Sequence, residues 1–307
     1  MNSMGYDART LREALTSSRV LLMDGATGTE LQRRRLKLDA PLWSARALLD
    51  AAELLLQIHR DYIQAGAQLL TANTFRTHAR NLAAAGLAPR AAELTAQAVQ
   101  LARQAAGGRA WVLGSQAPLE DCYSPQHVPP EAALEEEHRR MAEHLLQAGA
   151  DGILVETHNT LREARAAAQA ALATGLPVLV SFVCNRHRRL LSGEPLRQAA
   201  EEVLALGVSA LLVNCVPAPW VGGCLEVLEQ VCGKHVPWGA YANTGQPDAQ
   251  GRWHDTDAQE PSRYVQYARG WLARGARLLG GCCGTTPEHI RQLRALLDRW
   301  RKKGANT

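Results

Sequence analysis

The 307-residue sequence predicts a closed (β/α)8 barrel, in which each of eight parallel strands is followed by a helix. Three observations predict it. Eight short apolar runs alternate with longer amphipathic stretches along the whole chain, where an open doubly wound sheet would usually show fewer units. The runs are apolar on both sides of the strand period, as strands covered on both faces are. Glycines fall a few residues ahead of several runs, where a preceding helix would close.

The runs, in order, are "RVLLMDG", "QLLTANTF", "AWVLGS", "GILVETH", "PVLVSFVCN", "ALLVNCV", "WGAYANTG" and "RLLGGCC". Between them, Leu54, Leu55, Ile58 and Tyr62 recur at helical spacing, as do Leu134, His138, Met141 and Leu145. Ile290, Leu293, Leu297 and Trp300 repeat the pattern after the eighth run. Gly66, Gly149, Gly175, Gly207 and Gly275 are expected to be left-handed helix caps. The prolines of residues 115–130, "SQAPLEDCYSPQHVPP", exclude regular structure and predict a loop over one end of the barrel. No linker or composition shift divides the chain. A single domain over 1–307 is expected, with its barrel core at about 20–297.

Composition narrows the function classes. With 46% hydrophobic and 21% charged residues, the chain has ordinary globular make-up. No apolar stretch reaches the roughly 18 residues that would span a bilayer. Asp7, Arg9, Arg12 and Glu13 stand where a signal peptide would need an apolar centre, so a cytoplasmic protein without membrane contact is expected. The 34 basic residues are dispersed among 30 acidic ones except at 33–35 and 299–303, which reads as a solvated surface and argues against nucleic acid. Seven cysteines, an odd number with no export signal, are expected to stay reduced and open to thiol or metal chemistry.

In such barrels the active site lies where the strands finish. The eight ends read Asp24, Asn73 with Thr74, Ser115, Glu156, Cys184 with Asn185, Asn214 with Cys215, Asn243, and Cys282 with Cys283. Cys215, Cys282 and Cys283 therefore face one mouth, with Asn243 between them. Soft thiolates at about 2.3 Å suit Zn2+, and three protein ligands with one exchangeable position mark a catalytic site. One adjacent pair and one distant cysteine favour an open site over a closed structural one. Cys224 and Cys232, and with them Cys184, read as small buried apolar residues, and Cys122 reads as a loop thiol. A vicinal disulfide between Cys282 and Cys283 would be strained. A phosphate cup is the stronger rival, because "GGCCGTTPEH" sets glycines before a helix with Pro287 near its first turn; Cys215 tips the balance to metal. Schiff-base chemistry needs a lysine at a strand end, and Lys37, Lys234, Lys302 and Lys303 lie elsewhere.

The set "DGATGTEL", "TANTF", "VET", "NC", "YANTG" and "GGCCGT" resembles the homocysteine S-methyltransferase family from about Val20 to Leu297. "PLWSARALLD" and "HRDYIQAGAQ" are similar to its single-domain members that use S-methylmethionine or S-adenosylmethionine rather than betaine. The resemblance implies zinc on Cys215, Cys282 and Cys283 with homocysteine sulfur as fourth ligand, and Asn243 in that position when substrate is absent. It also implies Asp24 and Glu156 on the homocysteine ammonium, and the backbone amides around Gly25 and Ala26 on its carboxylate. The reaction implied is methyl transfer from a sulfonium donor to the homocysteine thiol, giving methionine. Trp43 is the candidate to face the onium group, against the alternative that it packs on the barrel rim. After the third strand, "QAPLEDCYSPQHVPP" stands where the family often has a Gly-Pro-x-Gly run, which leaves the donor open. Two other readings stay open: a homocysteine-activating module of a multi-component cobalamin-dependent methionine synthase, and a non-catalytic zinc or thiol sensor.

Overall fold

A two-residue alternation in the strands decides which side chains fill the barrel and which face the helices. In the computed structural model, which describes residues 10–248 and 252–304, the strands are β1 (Leu21–Leu22), β2 (Leu69–Ala72), β3 (Trp111–Gln116), β4 (Gly152–His158), β5 (Val178–Phe182), β6 (Ala210–Pro217), β7 (Trp238–Asn243), an inserted antiparallel hairpin β8 (Gly245–Pro247) and β9 (Trp253–Asp255), and β10 (Leu278–Gly281). Asp7 and Arg9 lie outside the described residues. Eight strands form one parallel sheet in the order β1-β10-β7-β6-β5-β4-β3-β2. The seam between β1 and β2 closes through a parallel bridge of Met23 to Leu69, with Asp24 N donating to Leu69 O at 2.9 Å.

Met23, Leu69, Leu113, Leu154, Leu179, Leu212 and Leu278 pack inside the barrel, whereas their strand neighbours Leu22, Leu70, Val112, Val155, Val180, Val213 and Leu279 pack under the helices. Burying each such side chain stabilises the fold by about 1.5–3 kcal/mol. The short helix Leu11–Thr16, closed by a Thr10–Glu13 capping box, adds Leu11, Ala14 and Leu15 to the inner cluster. Leu11 lies against Gly152, the first residue of β4, so this plug fills the end of the barrel where strands begin. The other end is left for chemistry.

The expected helices form: Ala52–Ala65 buries Leu55, Ile58 and Tyr62, and Glu131–Gln147 buries Leu134, His138, Met141 and Leu145. Pro287–Gly304 buries Ile290, Leu293 and Leu297, but Trp300 is largely exposed, so the apolar stripe ends one turn earlier than its spacing implies. All five cap glycines take positive φ.

Two segments differ from expectation. β3 continues to Gln116, and the irregular loop contains one 3-10 turn at Pro125–His127. The hairpin β8–β9 follows β7, a segment with no apolar run of its own in the sequence. The loop after β3 is tied down from neighbouring elements: Leu119 N donates to Glu163 Oε1 at 2.8 Å, and Asn159 Nδ2 donates to Cys122 O at 2.9 Å. Among the described residues, no helix is long and apolar enough to cross a membrane.

Candidate metal centre and its cavity

Strict alternation would point Cys215 outward, because Leu212 faces the interior and Val213 the helices. A bulge prevents this. Pairing of β6 with β7 shifts between Asn214 and Pro217, and Cys215 takes φ 51°. Val216 then returns to the outer cluster, leaving Asn214 and Cys215 both at the mouth. β4 repeats the device: its register against β5 shifts between Val155 and His158, and Thr157 takes φ 63°. Positive φ is unfavourable for a β-branched residue, and such strain is held where a site needs it. Thr157 and Asn214 hold each other: Thr157 N donates to Asn214 Oδ1 at 3.1 Å, and Asn214 Nδ2 donates to Thr157 Oγ1 at 2.7 Å.

Cys282 and Cys283 sit in the turn after β10. The glycines around them are required sterically, since a Cβ on Gly281 would collide with Thr285, and one on Gly284, at φ 86°, with Thr244. Cys282 N donates to Ala242 O at 2.8 Å, Cys283 N to Asn243 Oδ1 at 3.0 Å and Gly284 N to Thr29 Oγ1 at 3.1 Å. With the turn's amides tied, Cys215 and Cys282 sulfurs lie 3.0 Å apart, and all three sulfurs fall within 4.8 Å of one another. No other such group of His, Cys, Asp or Glu occurs among the described residues.

The rival readings lose ground on the same geometry. All seven cysteines are free. A phosphate would need open amides at the start of the final helix, yet Thr286 N donates to His289 Nδ1 at 3.1 Å and Glu288 N to Thr286 Oγ1 at 3.2 Å. Cys184, Cys224 and Cys232 belong to the apolar core, as expected. Cys122 stands on the loop after β3, as expected, and is also buried in the cavity wall, where burial pushes its thiol up to about 12.

The donor set fits a cation. Hydrogen bonds from Cys215 and Cys282 pull the Cys283 thiol well below its ordinary range. Cys215 is raised well above that range by its bonds to Cys282 and Cys283 and by burial. At Cys282 the Cys215 bond lowers and the Cys283 bond and burial raise, with a net rise. The shared protons favour a thiolate at Cys283, and a divalent ion would release those that remain. Asn214 Nδ2 also faces Cys215 Sγ at 3.5 Å and Cys282 Sγ at 3.9 Å, while Ser181 Oγ donates to its Oδ1 at 2.7 Å. An amide donor beside thiolates is the kind of outer support that orients metal ligands. The sequence placed Asn214 at a strand end but gave only its cysteine neighbour a role.

The cysteines open into a cavity of about 320 Å³. Asp24 and Glu156 line its inner part and are buried. Asp24 Oδ2 accepts from Thr71 N at 2.8 Å and its Oδ1 from Thr71 Oγ1 at 3.1 Å. Glu156 accepts from Ser115 Oγ at 2.5 Å and Tyr241 O–H at 2.9 Å. Burial raises the Asp24 carboxyl to about 8 and that of Glu156 to about 7, so the pair is poised to ionise fully when a cation enters between them. Gly25 and Ala26 line the cavity beside them, but the Ala26 N–H donates to Thr285 Oγ1 at 3.2 Å. Among the described residues lining the cavity there, Gly25, Thr27, Gly28 and Thr29 have N–H groups without a protein acceptor. Asn243 is fully buried beside the cysteine turn and is not a cavity-wall residue. Trp43 lines the cavity at φ 43°, edge-on to Phe75 with ring centroids 5.7 Å apart. Arg76, Asp121 and Tyr123, none of them singled out by the sequence, complete its outer wall.

The sequence model of the family described as homocysteine S-methyltransferase matches residues 21–297. The chain belongs to the homocysteine S-methyltransferase family. It is 33% identical over 312 residues to the homocysteine S-methyltransferase of Escherichia coli (strain K12), covering 93% of this chain and 97% of that protein. The crystal structure of the E. coli homocysteine methyltransferase MmuM in its metallated form is similar with a TM-score of 0.80 at 33% identity, over 93% of this chain and 99% of that one. Methionine synthase of Mycobacterium leprae is 31% identical over 97% of this chain, which spans 26% of that longer protein. The matched segment runs from β1 to the last buried turn of the final helix, the stretch the family motifs delimit.

Proposed function

We propose that the protein is a zinc-dependent methyltransferase that moves a methyl group from a sulfonium donor to the thiol of homocysteine, giving methionine. The observation that carries this reading is the meeting of three sulfurs, from a bulged β6 and the turn after β10, at the floor of a cavity with two buried carboxylates. Cys215, Cys282 and Cys283 would hold Zn2+, the ion that an all-sulfur set with one free position suits. When bound, the ion supplies the charge that keeps the acceptor sulfur deprotonated at neutral pH. Asn243 fixes the cysteine turn through Cys283 N–H, and a second lone pair on its Oδ1 would be available to help hold the ion before homocysteine arrives.

Asp24 and Glu156 hold the homocysteine ammonium, and the free N–H groups of the turn from Gly25 to Thr29, Ala26 excepted, take its carboxylate. The Ala26 amide supports that turn by bonding Thr285, whose own hydroxyl donates to Cys282 O at 2.7 Å, so the carboxylate site and the cysteine turn are braced together. Trp43, with Phe75, turns aromatic surface to the sulfonium. An acceptor sulfur lone pair forms the new carbon–sulfur bond while the donor's carbon–sulfur pair returns to the donor sulfur. The donor leaves as a neutral thioether, and no base is needed at the carbon. Placement supplies most of the catalysis.

The site needs reduced thiols, which suits the cytoplasm. The described residues fit one homocysteine-binding barrel domain, which we extend to residues 1–307. Incubating zinc-loaded protein with homocysteine and S-methylmethionine tests the reading; methionine formation is expected, and its absence in the presence of bound zinc would reject it. The similarity to a quarter of a methionine synthase favours a second reading, in which the barrel activates homocysteine for a separate cobalamin-carrying partner. Turnover with methylcobalamin and none with any sulfonium would select that one, and zinc binding without turnover would leave a sensor.

A further inference from the structure

The outer half of the cavity carries two opposite charges that the acceptor does not use. We infer that Arg76 and Asp121 form a second amino-acid site, which grips the carboxylate and ammonium of a compact α-amino-acid sulfonium donor. This rests on the methyltransferase reading and names the residues that choose its donor.

Depth separates the two halves. Asp24 is 4% exposed and Glu156 7%, whereas Tyr123 on the loop after β3 is 43% exposed, yet all line one cavity. Arg76 lies in the turn after β2, beyond Asn73, Thr74 and Phe75, and is part-buried, with its guanidinium carbon 5.3 Å from the Phe75 ring centroid and Nη1 donating to Glu120 O at 3.2 Å. That bond fixes the backbone next to Asp121. The Asp121 carboxylate is itself oriented, accepting from Tyr123 N at 3.1 Å and Ser124 Oγ at 2.8 Å. Among the described residues, neither Arg76 nor Asp121 has an ion-pair partner, and they do not pair with each other, although Arg80 in the same region binds both Glu120 and Glu137.

Two pinned, opposite, unpaired charges on one wall match a zwitterion better than a single ion. Arginine presents a planar fork to a carboxylate, and an aspartate takes an ammonium. A short methylene chain from such an anchor would carry a sulfonium along Phe75 and Trp43, which line the same cavity and offer aromatic surface for a cation. Volume points the same way. At about 320 Å³ the cavity lies at the small end of ligand sites, which run to about 1,000 Å³, and it must hold acceptor and donor together. A sulfonium amino acid without a nucleoside fits that space.

The test is steady-state kinetics of zinc-loaded Arg76→Gln and Asp121→Asn with two sulfonium compounds, S-methylmethionine and dimethylsulfoniopropionate, the latter lacking the ammonium and used as substrate or as competitive inhibitor. Both variants should raise the KM for S-methylmethionine by about tenfold or more, the scale of losing one partner of a charge-assisted pair, with the homocysteine KM and zinc content within about twofold of wild type. For dimethylsulfoniopropionate, Arg76→Gln should keep its penalty and Asp121→Asn should lose most of its own. An unchanged KM for S-methylmethionine in both variants, or an equal rise for homocysteine, would overturn the inference alone. Wild-type silence toward every sulfonium, with zinc bound, would overturn the methyltransferase reading and this inference with it.

Discussion

Asp24 and Glu156, at the inner end of the cavity, each receive two hydrogen bonds from the barrel and are almost wholly buried, whereas Asp121 and Tyr123 at the outer end stand on a loop and reach solvent. The inner groups come from strand ends or from a turn locked by Gly281 and Gly284; the outer ones come from segments joined to the barrel by a few side-chain bonds. Rigid elements hold a site in productive geometry, and loops vary without disturbing the scaffold. On the proposed reading, the difference teaches that metal and acceptor recognition would be built into the fold, while donor recognition would be carried by the loop segments that vary most freely.

The comparison breaks most visibly at the sulfurs. Cys215→Ser, Cys282→Ser and Cys283→Ser should each abolish both metal content, by elemental analysis, and methionine formation; full activity in a zinc-free preparation would discard the mechanism. Next in size come the carboxylates. Glu156→Gln or Asp24→Asn should retain zinc and raise the homocysteine KM, with a loss of about 2–5 kcal/mol for a buried charge pair missing one partner. An equal rise in the donor KM would erase the division between inner and outer ends. Trp43→Ala sharpens it from the other side: the donor KM should rise by about 0.5–2 kcal/mol and that of homocysteine much less.

The smallest effect is on pH dependence. Burial raises Asp24 from 3.8 to about 8 and Glu156 from 4.5 to about 7, so from about pH 4 to pH 8 the substrate-free native state holds protons that the unfolded chain has released. Its stability therefore falls as pH rises through that window. A bound ammonium lets both groups ionise, so homocysteine should raise the melting temperature more at about pH 8 than at about pH 5. Equal protection at both values would remove the ammonium from these carboxylates.

The barrel was legible because fully covered parallel strands leave continuous apolar runs, and because Gly66, Gly149, Gly175, Gly207 and Gly275 mark helix ends with a residue type that positive φ favours. Cys282 and Cys283 were legible for a related reason, since a glycine frame around two thiols has little structural use. The bulges were not. Nothing in "ALLVNCV" marks the register shift that turns Cys215 and Asn214 to the same side, because that shift is settled by pairing with β7 and by the Thr157 bonds. The Thr285 bond to Ala26 joins residues 259 apart, beyond any local pattern, and it takes the Ala26 amide out of the set of free N–H groups. The loop position of Cys122 was legible, but its burial in the wall was not, because that depends on Asn159 and Glu163, which arrive with the following strand and helix.

X-ray absorption at the zinc edge tests the central claim most directly, comparing the loaded protein before and after homocysteine is added. The account predicts a shell of three sulfurs and one lighter atom that becomes four sulfurs at about 2.3 Å. A shell that already holds four sulfurs, or one that homocysteine leaves unchanged, would contradict it.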